Sequence, residues 1–396
     1  MLINATQERT RALRTELGGA REQTDLLFRI ISPEALYERP IAERHRLIFY
    51  LGHLDAFDWN LMARRALGTT VFHPEFDSLF ERGIDPPAGQ APSDSAADWP
   101  SQQEVENYNS KTREWIDAHL DEMDPTVVQM AVEHRLMHAE TLAYLMHNLP
   151  YSQKQGEVAE VVHGSGEANQ MLPVEAGDAV LGQHPDVFGW DNEFHQHHVP
   201  VPEFAISRYK VSNAEYLEFV REGGSVPNFW LQEGGQWFWR GMFGLIPLPL
   251  DWPAWVTWQQ AHDYAAFRNL QLPSEAQWQR AASLCPPDPH RDNFDFLRWD
   301  PVAVNVSASV ISPRQLTGNG WEWTGDLFKP FEGFEPHPFY PGYSADFFDG
   351  EHYVMKGASP RTAALLARPS FRNWFRPDYP YMYAGFRLAG SAPGEK

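Results

Sequence analysis

The chain has 396 residues, one cysteine and a formal net charge of −21. This length predicts two domains, and the lone thiol of Cys285 excludes both an internal disulfide and a cysteine-held metal site. The acidic balance argues against nucleic acid as a partner. Charged side chains occur repeatedly from Glu8 to Glu16, where a signal peptide has its apolar region, and no segment is long and apolar enough to span a membrane. We therefore expect a cytoplasmic protein without membrane association.

The first part of the chain has the apolar periodicity of helices. Four helices are predicted, at about residues 7–31, 42–67, 102–120 and 126–149, and they predict a helical bundle over residues 1–150. Residues 83–100 separate the second helix from the third and are rich in Pro, Gly and Asp. That composition predicts a long loop, which is either functional or a disordered connector.

The pattern changes after the bundle. Residues 151–170 are predicted as a linker. Residues 171–396 have short β-like runs, many Gly and Pro turns and most of the tryptophans. This composition predicts a compact, loop-rich α+β domain.

Three histidines are candidates for a metal site. His134 and His138 lie four residues apart on the apolar seam of the fourth helix, and His53 lies on an apolar face of the second. A buried imidazole needs a partner for its ring nitrogens, and rings at i and i+4 can reach one ion. The pattern predicts a single metal held by three histidines, with core histidines in ordinary hydrogen bonds as the alternative. The spacing leaves iron and zinc both open.

Other polar residues near this pattern are expected to have other roles. Glu140 is predicted to support the ligands or to carry charge on the helix surface, not to bind the metal. The remaining histidines considered are predicted to be surface or loop residues: His147, His163, His195, His197 and His198.

Four motifs in the second half resemble the formylglycine-generating-enzyme-like domain, a C-type-lectin-related fold. They are VSNAEYLEFVREGG at residues 211–224, WVTWQQAHDYAAFRNLQLPSEAQWQRAA at 255–282, GNGWEWTGD at 318–326 and FRNWFRPDYPYMYAGFRLA at 371–389. Members that make formylglycine use a cysteine pair late in the domain. Because Cys285 is alone and lies in an earlier loop, that activity is not expected.

An N-terminal bundle with the motif His-x3-His-x-Glu resembles DinB-like bundles. Together with the second domain, it makes the chain similar to the EgtB family of non-haem iron sulfoxide synthases. This resemblance implies that His53, His134 and His138 bind Fe(II) and that O2 is a co-substrate. It also implies an oxidative reaction that attaches a thiol to the imidazole of hercynine, the trimethylated betaine of histidine.

The resemblance implies roles for further residues. Asn373 and Trp374 match positions that contact hercynine, and a tryptophan face suits a quaternary ammonium. The alternative for Trp374 is a core aromatic. The segment FYPGYSADFFDG matches a tyrosine-bearing loop whose first tyrosine donates a proton. Tyr340 is the candidate and Tyr343 its neighbour, with a structural role for Tyr340 as the alternative.

Several departures from the family pattern concern the donor substrate. Members that use γ-glutamylcysteine carry arginines that grip carboxylates after the second helix, and only Arg82 remains here. Met137 replaces a glutamine, and Phe375 replaces an acid found in some members. The same loop gains acids at Asp85, Asp94 and Asp98. These changes indicate a neutral, hydroxyl-rich donor and resemble the SenA branch, the selenoneine synthases, which form a C–Se bond between hercynine and a selenosugar.

Three alternatives stand beside a selenoneine synthase. One is an ergothioneine-type sulfoxide synthase that joins hercynine to cysteine or γ-glutamylcysteine. Another is a zinc-dependent DinB-type thiol transferase, since such bundles also serve that chemistry. The last is a non-catalytic binding module. The sequence leaves the oligomeric state open.

Overall fold

The computed structural model describes residues 2–70, 72–81, 94–306 and 312–392. The chain divides into two compact units, Met1–Gly156 and Glu157–Lys396, which we call the helical unit and the mixed unit. A helical N-terminal part followed by mixed helix and sheet agrees with the predicted fold class. Among the described residues, no helix combines the length and the apolar character that a membrane crossing requires.

Within its described residues, the helical unit contains the four predicted helices, a short α-helix that was not predicted and several 3-10 turns. Its elements are α1 (Leu2–Arg29), α2 (Leu47–Asp58), a π-helix (Trp59–Ala66), α3 (Pro74–Leu79), α4 (Gln102–His119) and α5 (Pro125–His147). Helix α1 packs on α5, and α2 packs on both α4 and α5. The start of α5 follows its sequence signal, because Asp124 accepts a hydrogen bond from the Thr126 amide at 2.7 Å and Pro125 occupies the first turn.

Helix α2 begins later than predicted. Arg46, just before it, has an extended backbone with ψ of 155°. Its guanidinium donates to the Tyr37 carbonyl at 2.6 Å and to the Asp94 carboxylate at 3.1 Å. These two bonds hold Arg46 outside the helix, and no apolar periodicity could have revealed them.

A buried cluster of charged side chains joins the long helices. Arg135 on α5 donates to Asp55 at 2.9 Å and to Asp58 at 2.6 Å. Arg113 on α4 donates to Asp55 at 2.9 Å and to Asp25 on α1 at 2.7 Å. Burial opposes the ionisation of Asp55, but the two guanidinium groups lower its pKa below the usual range. Each buried charge in this cluster therefore has a hydrogen-bonded partner, and removal of one partner would be costly.

The mixed unit is built from short helices and strands. The helices are α6 (Asn213–Arg221), α7 (Trp258–Phe267), α8 (Glu275–Ala282) and α9 (Pro289–Asp292). The strands are β1 (Met171–Val174), β2 (Gly177–Leu181), β3 (His197–Val201), β4 (Phe204–Ser207), β5 (Trp230–Glu233), β6 (Gln236–Arg240), β7 (Leu245–Pro247), β8 (Trp321–Leu327), β9 (Tyr353–Lys356), β10 (Asn373–Phe375), β11 (Ala384–Gly385) and β12 (Ala389–Ser391).

The strands pair into small sheets. Their orders are β1-β4-β12, β2-β3, β5-β6-β7 and β10-β9-β8-β11 among the described residues. In the last sheet, β11 runs parallel to β8, and the other neighbours are antiparallel. This sheet carries the predicted pair Asn373 and Trp374 at its edge, on β10.

The mixed unit has a buried charge at its centre. Glu322 on β8 accepts hydrogen bonds from Lys210 at 2.6 Å, Arg387 at 2.6 Å and the Trp278 indole at 2.8 Å. Burial opposes its ionisation, but Arg387 and Lys210 hold its pKa below the usual range. Just before β8, Gly320 has a φ of 122°, and a Cβ there would lie 2.6 Å from Nε1 of Trp255. A larger residue would therefore strain the entry to this strand.

Candidate functional site

The structure brings the three predicted histidines together inside the helical unit. His53 projects from α2, and His134 and His138 project from α5, with relative exposures of 5%, 2% and 2%. One ring nitrogen from each lies within 4.8 Å of the others. The distances between ring centroids run from 4.5 to 5.4 Å.

A backbone carbonyl fixes the ring of His53. Nδ1 of His53 donates to the carbonyl oxygen of Phe80, which follows α3, at 2.7 Å. With the proton on Nδ1, Nε2 has a free lone pair, as in metal-binding histidines whose other nitrogen is hydrogen-bonded. Gly52 lets Phe80 approach this closely, because a Cβ there would lie 2.5 Å from the Phe80 ring. Phe49 stacks on the His53 ring with a centroid distance of 4.9 Å.

All three imidazoles are neutral at neutral pH. Burial lowers the pKa of His53 to about 4, although its bond to Phe80 acts in the opposite direction. Burial also lowers the pKa of His134 and of His138 well below the usual 6.5. A histidine must be neutral to bind a metal. The Phe57 ring stacks on His134 at a centroid distance of 3.4 Å and limits its rotation.

The donor atoms fit a divalent metal. Within the described part of the chain, Nε2 of His53 and both ring nitrogens of His138 have no hydrogen-bond partner. A buried nitrogen without a partner is costly in a core, and a metal relieves that cost. The triad could therefore hold a metal, with histidine ligands that suit iron or zinc.

The prediction for His147 was wrong, and the prediction for Glu140 is narrowed. Glu140 is buried, because α5 is covered by its neighbours on nearly all sides, so it is not a charge on the helix surface, and support of the ligands stays a prediction. His147, predicted as a surface or loop residue, is also buried at the end of α5, where its carbonyl accepts a hydrogen bond from Lys154 at 2.9 Å. Met137 is half-buried on α5. The exposed positions predicted for His163, His195 and His198 are confirmed, and His197 is half-buried.

The loop after α3 contains residues on which the prediction of a neutral donor substrate depends, and the structure describes only some of them. Arg82 and Asp85 lie outside the described residues. Asp94 pairs with Arg39 at 2.5 Å, in addition to its contact with Arg46. Asp98 accepts hydrogen bonds from the amide and hydroxyl of Ser95. Because Asp94 and Asp98 have these local partners, their charges add little to the argument about the donor.

The tyrosine loop packs on Trp190 in the mixed unit. Tyr343 is 9% exposed, and its ring stacks on Trp190 with a centroid distance of 4.0 Å and an interplanar angle of 25°. Tyr340 is half-buried and lies 6.5 Å from Trp190. Tyr343 also meets Trp374 edge-on at 5.4 Å. The structure thus brings Tyr343 and Trp374 together, and proton donation by Tyr340 stays a prediction.

Neighbouring groups contact each side chain of the edge strand β10. Trp374 stacks on Phe328 at a centroid distance of 4.3 Å and an angle of 7°, so Phe328 covers one face of the indole. Asn373 accepts a hydrogen bond from the Trp374 amide at 2.9 Å. Phe375 stacks on Tyr379 at 5.0 Å. Contact of Asn373 and Trp374 with hercynine stays a prediction.

Sequence reasoning missed two features. The bond between Phe80 and His53 uses a backbone carbonyl, which every residue type carries, so no sequence signal exists for it. The other is a buried segment, residues 190–193 (Trp-Asp-Asn-Glu), whose polar side chains contact the tyrosine loop and the segment that leads into β10. Its signal is weak: two acids and an amide directly follow a tryptophan.

These features define a class of protein in which a helical unit carries a buried histidine triad and a second unit is a tryptophan-rich α+β fold. The family of the Sulfatase-modifying factor enzyme 1-like domain matches residues 157–392, and the chain belongs to this family.

Curated relatives extend the similarity into the helical unit. Ergothioneine biosynthesis protein 1 of Schizosaccharomyces pombe is 27% identical over 418 residues, which cover 91% of this chain and 53% of that protein. The chain thus spans about half the length of that relative, and likewise of the Neurospora crassa protein of the same name. Hercynine oxygenase of Mycolicibacterium thermoresistibile is 29% identical over 87% of this chain and 86% of that protein. Homology to ergothioneine biosynthesis proteins, predicted from the motifs, is confirmed.

Proposed function

We propose that this protein is an Fe(II)- and O2-dependent enzyme that joins a chalcogen donor to the imidazole of hercynine. The observation that carries the proposal is the buried, neutral histidine triad, with ring nitrogens within 4.8 Å of one another. Similarity to a hercynine oxygenase across 86% of that protein supports hercynine as the substrate. The names of the relatives favour a sulfur donor, as in ergothioneine-type synthases, over the selenosugar predicted from the sequence.

The roles of the protein side chains follow from their surroundings. His53, His134 and His138 hold Fe(II), which when bound supplies O2 activation for the oxidative bond formation. The bond from His53 to Phe80 keeps Nε2 unprotonated and aimed in one direction. The surrounding aromatic rings keep bulk water away from the imidazoles.

We assign the substrate-directed roles to the mixed unit. Asn373 and Trp374 contact hercynine, and the indole attracts its quaternary ammonium. The stack with Phe328 keeps the indole in one orientation, which reduces the entropy lost on binding. Tyr340 donates the proton in the bond-forming step.

A selenosugar donor is the second candidate, and two side chains favour it. By the resemblance to the EgtB family, Phe375 stands where some members have an acid, and it packs on an aromatic ring at 5.0 Å. Met137 stands where relatives have a glutamine. Neither side chain can form the charge-assisted bonds that an amino-acid donor needs. A neutral sugar donor would make the protein a selenoneine synthase that forms a C–Se bond.

A comparison of donor substrates tests the proposed function and distinguishes a sulfur donor from a selenosugar donor. Protein loaded anaerobically with Fe(II) is mixed with hercynine and O2 and with γ-glutamylcysteine, cysteine or a 1-selenosugar, and adducts are followed by mass spectrometry. We expect a hercynine adduct that requires O2 and that is absent in His138→Ala. A preference for the thiols supports the sulfur version, and a preference for the selenosugar supports the selenium version. Oxygen-independent turnover with zinc, or no turnover with any donor, would contradict the proposal.

A further inference from the structure

Residues 190–193 form a buried polar segment in the mixed unit. Trp190, Asp191, Asn192 and Glu193 have relative exposures of 0%, 3%, 1% and 0%. Asp191–Glu193 is a 3-10 turn, in which the Glu193 carboxylate accepts a hydrogen bond from the Trp190 amide at 2.9 Å. Two acids and an amide in a core are costly unless each has specific partners. Their partners come from two other parts of the chain.

The first set of partners holds the tyrosine loop. The hydroxyl of Ser344, which is fully buried, donates to the Asp191 carboxylate and accepts from the Asn192 side-chain amide at 2.8 Å. Ser344 directly follows Tyr343, whose ring stacks on Trp190 at 4.0 Å. Both the side chain of Ser344 and the ring of Tyr343 are therefore held by residues 190–192.

The second set of partners holds the chain that enters β10. The Glu193 carboxylate accepts two hydrogen bonds from Arg368, at 2.5 and 2.8 Å, and one from the Ser370 hydroxyl at 2.7 Å. The Asn192 carbonyl accepts a hydrogen bond from Arg372 at 3.3 Å. Because Arg372 directly precedes Asn373, these bonds hold the start of the strand that carries Trp374, together with the pair of Arg372 with Glu275 at 2.9 Å.

We propose that residues 190–193 are a positioning element that sets the tyrosine loop and the Asn373–Trp374 pair relative to each other. The proposal rests on the proposed function, since these two groups matter only if they act on hercynine and its proton transfer. Residues 190–193 act through Tyr343 and Trp374 and have no role as catalytic residues. Each set of partners contains one serine whose hydroxyl contributes to it, so the two connections can be weakened separately.

Ser344→Ala weakens the connection to the tyrosine loop, and Ser370→Ala weakens the connection to the chain that enters β10. Ser207→Ala is the matched control, because Ser207 is equally buried in the same unit and its hydroxyl accepts the Leu388 amide at 2.9 Å. Fluorotyrosine and fluorotryptophan labels report the surroundings of Tyr343 and Trp374 by 19F NMR. Their resonances are assigned with Tyr343→Phe and Trp374→Phe.

The two serine variants should differ in what they change. We expect Ser344→Ala to shift or broaden chiefly the Tyr343 resonance and to lower kcat about tenfold at nearly constant KM for hercynine. We expect Ser370→Ala to affect chiefly the Trp374 resonance and to raise the KM for hercynine about tenfold at nearly constant kcat. Ser207→Ala should leave the resonances, kcat and KM unchanged. If an alanine variant does not fold, the cysteine variant at the same position replaces it.

The outcomes separate the two proposals. If neither serine variant moves its resonance further than Ser207→Ala does, the positioning role is overturned. If the resonances move while kcat and KM stay at wild-type values, it is likewise overturned. If the resonances move as expected but the wild-type protein consumes no hercynine, the proposed function fails and the structural coupling stands.

Discussion

Replacement of Gly52 by alanine perturbs the group that holds His53. A Cβ at position 52 would lie 2.5 to 2.6 Å from three atoms of the Phe80 ring, whereas ordinary contacts begin at 3.4 Å. Phe80 is fully buried, so its ring has to move by about 1 Å against packed neighbours. The carbonyl of Phe80 is bonded to Nδ1 of His53 at 2.7 Å. If the backbone follows the ring, this bond stretches beyond hydrogen-bonding range.

Two effects on stability oppose each other in Gly52→Ala. Overpacking of a core costs about 1 to 3 kcal/mol, and alanine in a helix is more favourable than glycine by about 1 kcal/mol. The net loss in the free energy of unfolding should therefore lie between about 0 and 2 kcal/mol. Metal affinity should fall as well, because loss of a ligand's outer hydrogen bond lowers affinity about 10- to 100-fold.

The assay combines urea unfolding of the metal-free protein with anaerobic titration by Co(II), followed by visible absorbance. Gly19→Ala in α1 is the matched control, because a Cβ there has no atom within 4 Å. It should raise stability by about 1 kcal/mol or less and leave Co(II) affinity unchanged. The reasoning is refuted if Gly52→Ala binds Co(II) as tightly as wild type and is as stable as Gly19→Ala.

Three further predictions concern the buried charges, pH and the indole. Arg135→Met leaves two buried aspartates without a shared partner and should lower the free energy of unfolding, measured in urea, by about 3 to 5 kcal/mol. The control Arg14→Met removes an ion pair whose side chains are 44% and 78% exposed, and it should lower the free energy of unfolding by at most about 1 kcal/mol. Equal losses in the two variants would contradict this prediction. Because the pKa of His53 falls from 6.5 to about 4 on folding, the unfolded chain takes up a proton first as pH drops. His53 should thus contribute a loss of about 3 kcal/mol in the stability of the metal-free protein between those pH values, in addition to the losses from His134 and His138. The loss should therefore be smaller by about that amount in His53→Gln, and an equal slope in both proteins would count against it. Trp374→Leu should weaken hercynine binding about tenfold, as measured by calorimetry, and Trp374→Phe should weaken it less. Unchanged affinity in both variants would show that the indole does not contact hercynine.

The histidine triad could be predicted because helix periodicity fixes side-chain direction. His134 and His138 share a face of α5 at i and i+4, and His53 lies on the buried face of α2, so the apolar pattern alone indicated where they point. The helix pattern thus identified the three candidate ligands. The approach of their ring nitrogens to within 4.8 Å depends on the packing of α2 on α5, which the pattern does not give.

Other features depend on contacts between distant parts of the chain, which local patterns do not encode. The late start of α2 results from the bonds of Arg46 to Tyr37 and Asp94. Asn192 meets Ser344, a residue 152 positions later. The burial of Glu140 depends on how many helices cover α5, which the spacing of Glu140 from the histidines does not show. Such contacts become visible only once the elements are packed.

Anaerobic equilibrium binding of Fe(II) to the wild-type protein and to His53→Ala, His134→Ala and His138→Ala tests most directly whether three imidazoles share one iron. We predict one tightly bound Fe(II) per wild-type chain and at least about a 100-fold loss of affinity in each variant, since each removes one of three protein ligands. Equal stoichiometry and affinity in all four proteins, or retention of binding in His53→Ala alone, would contradict the account.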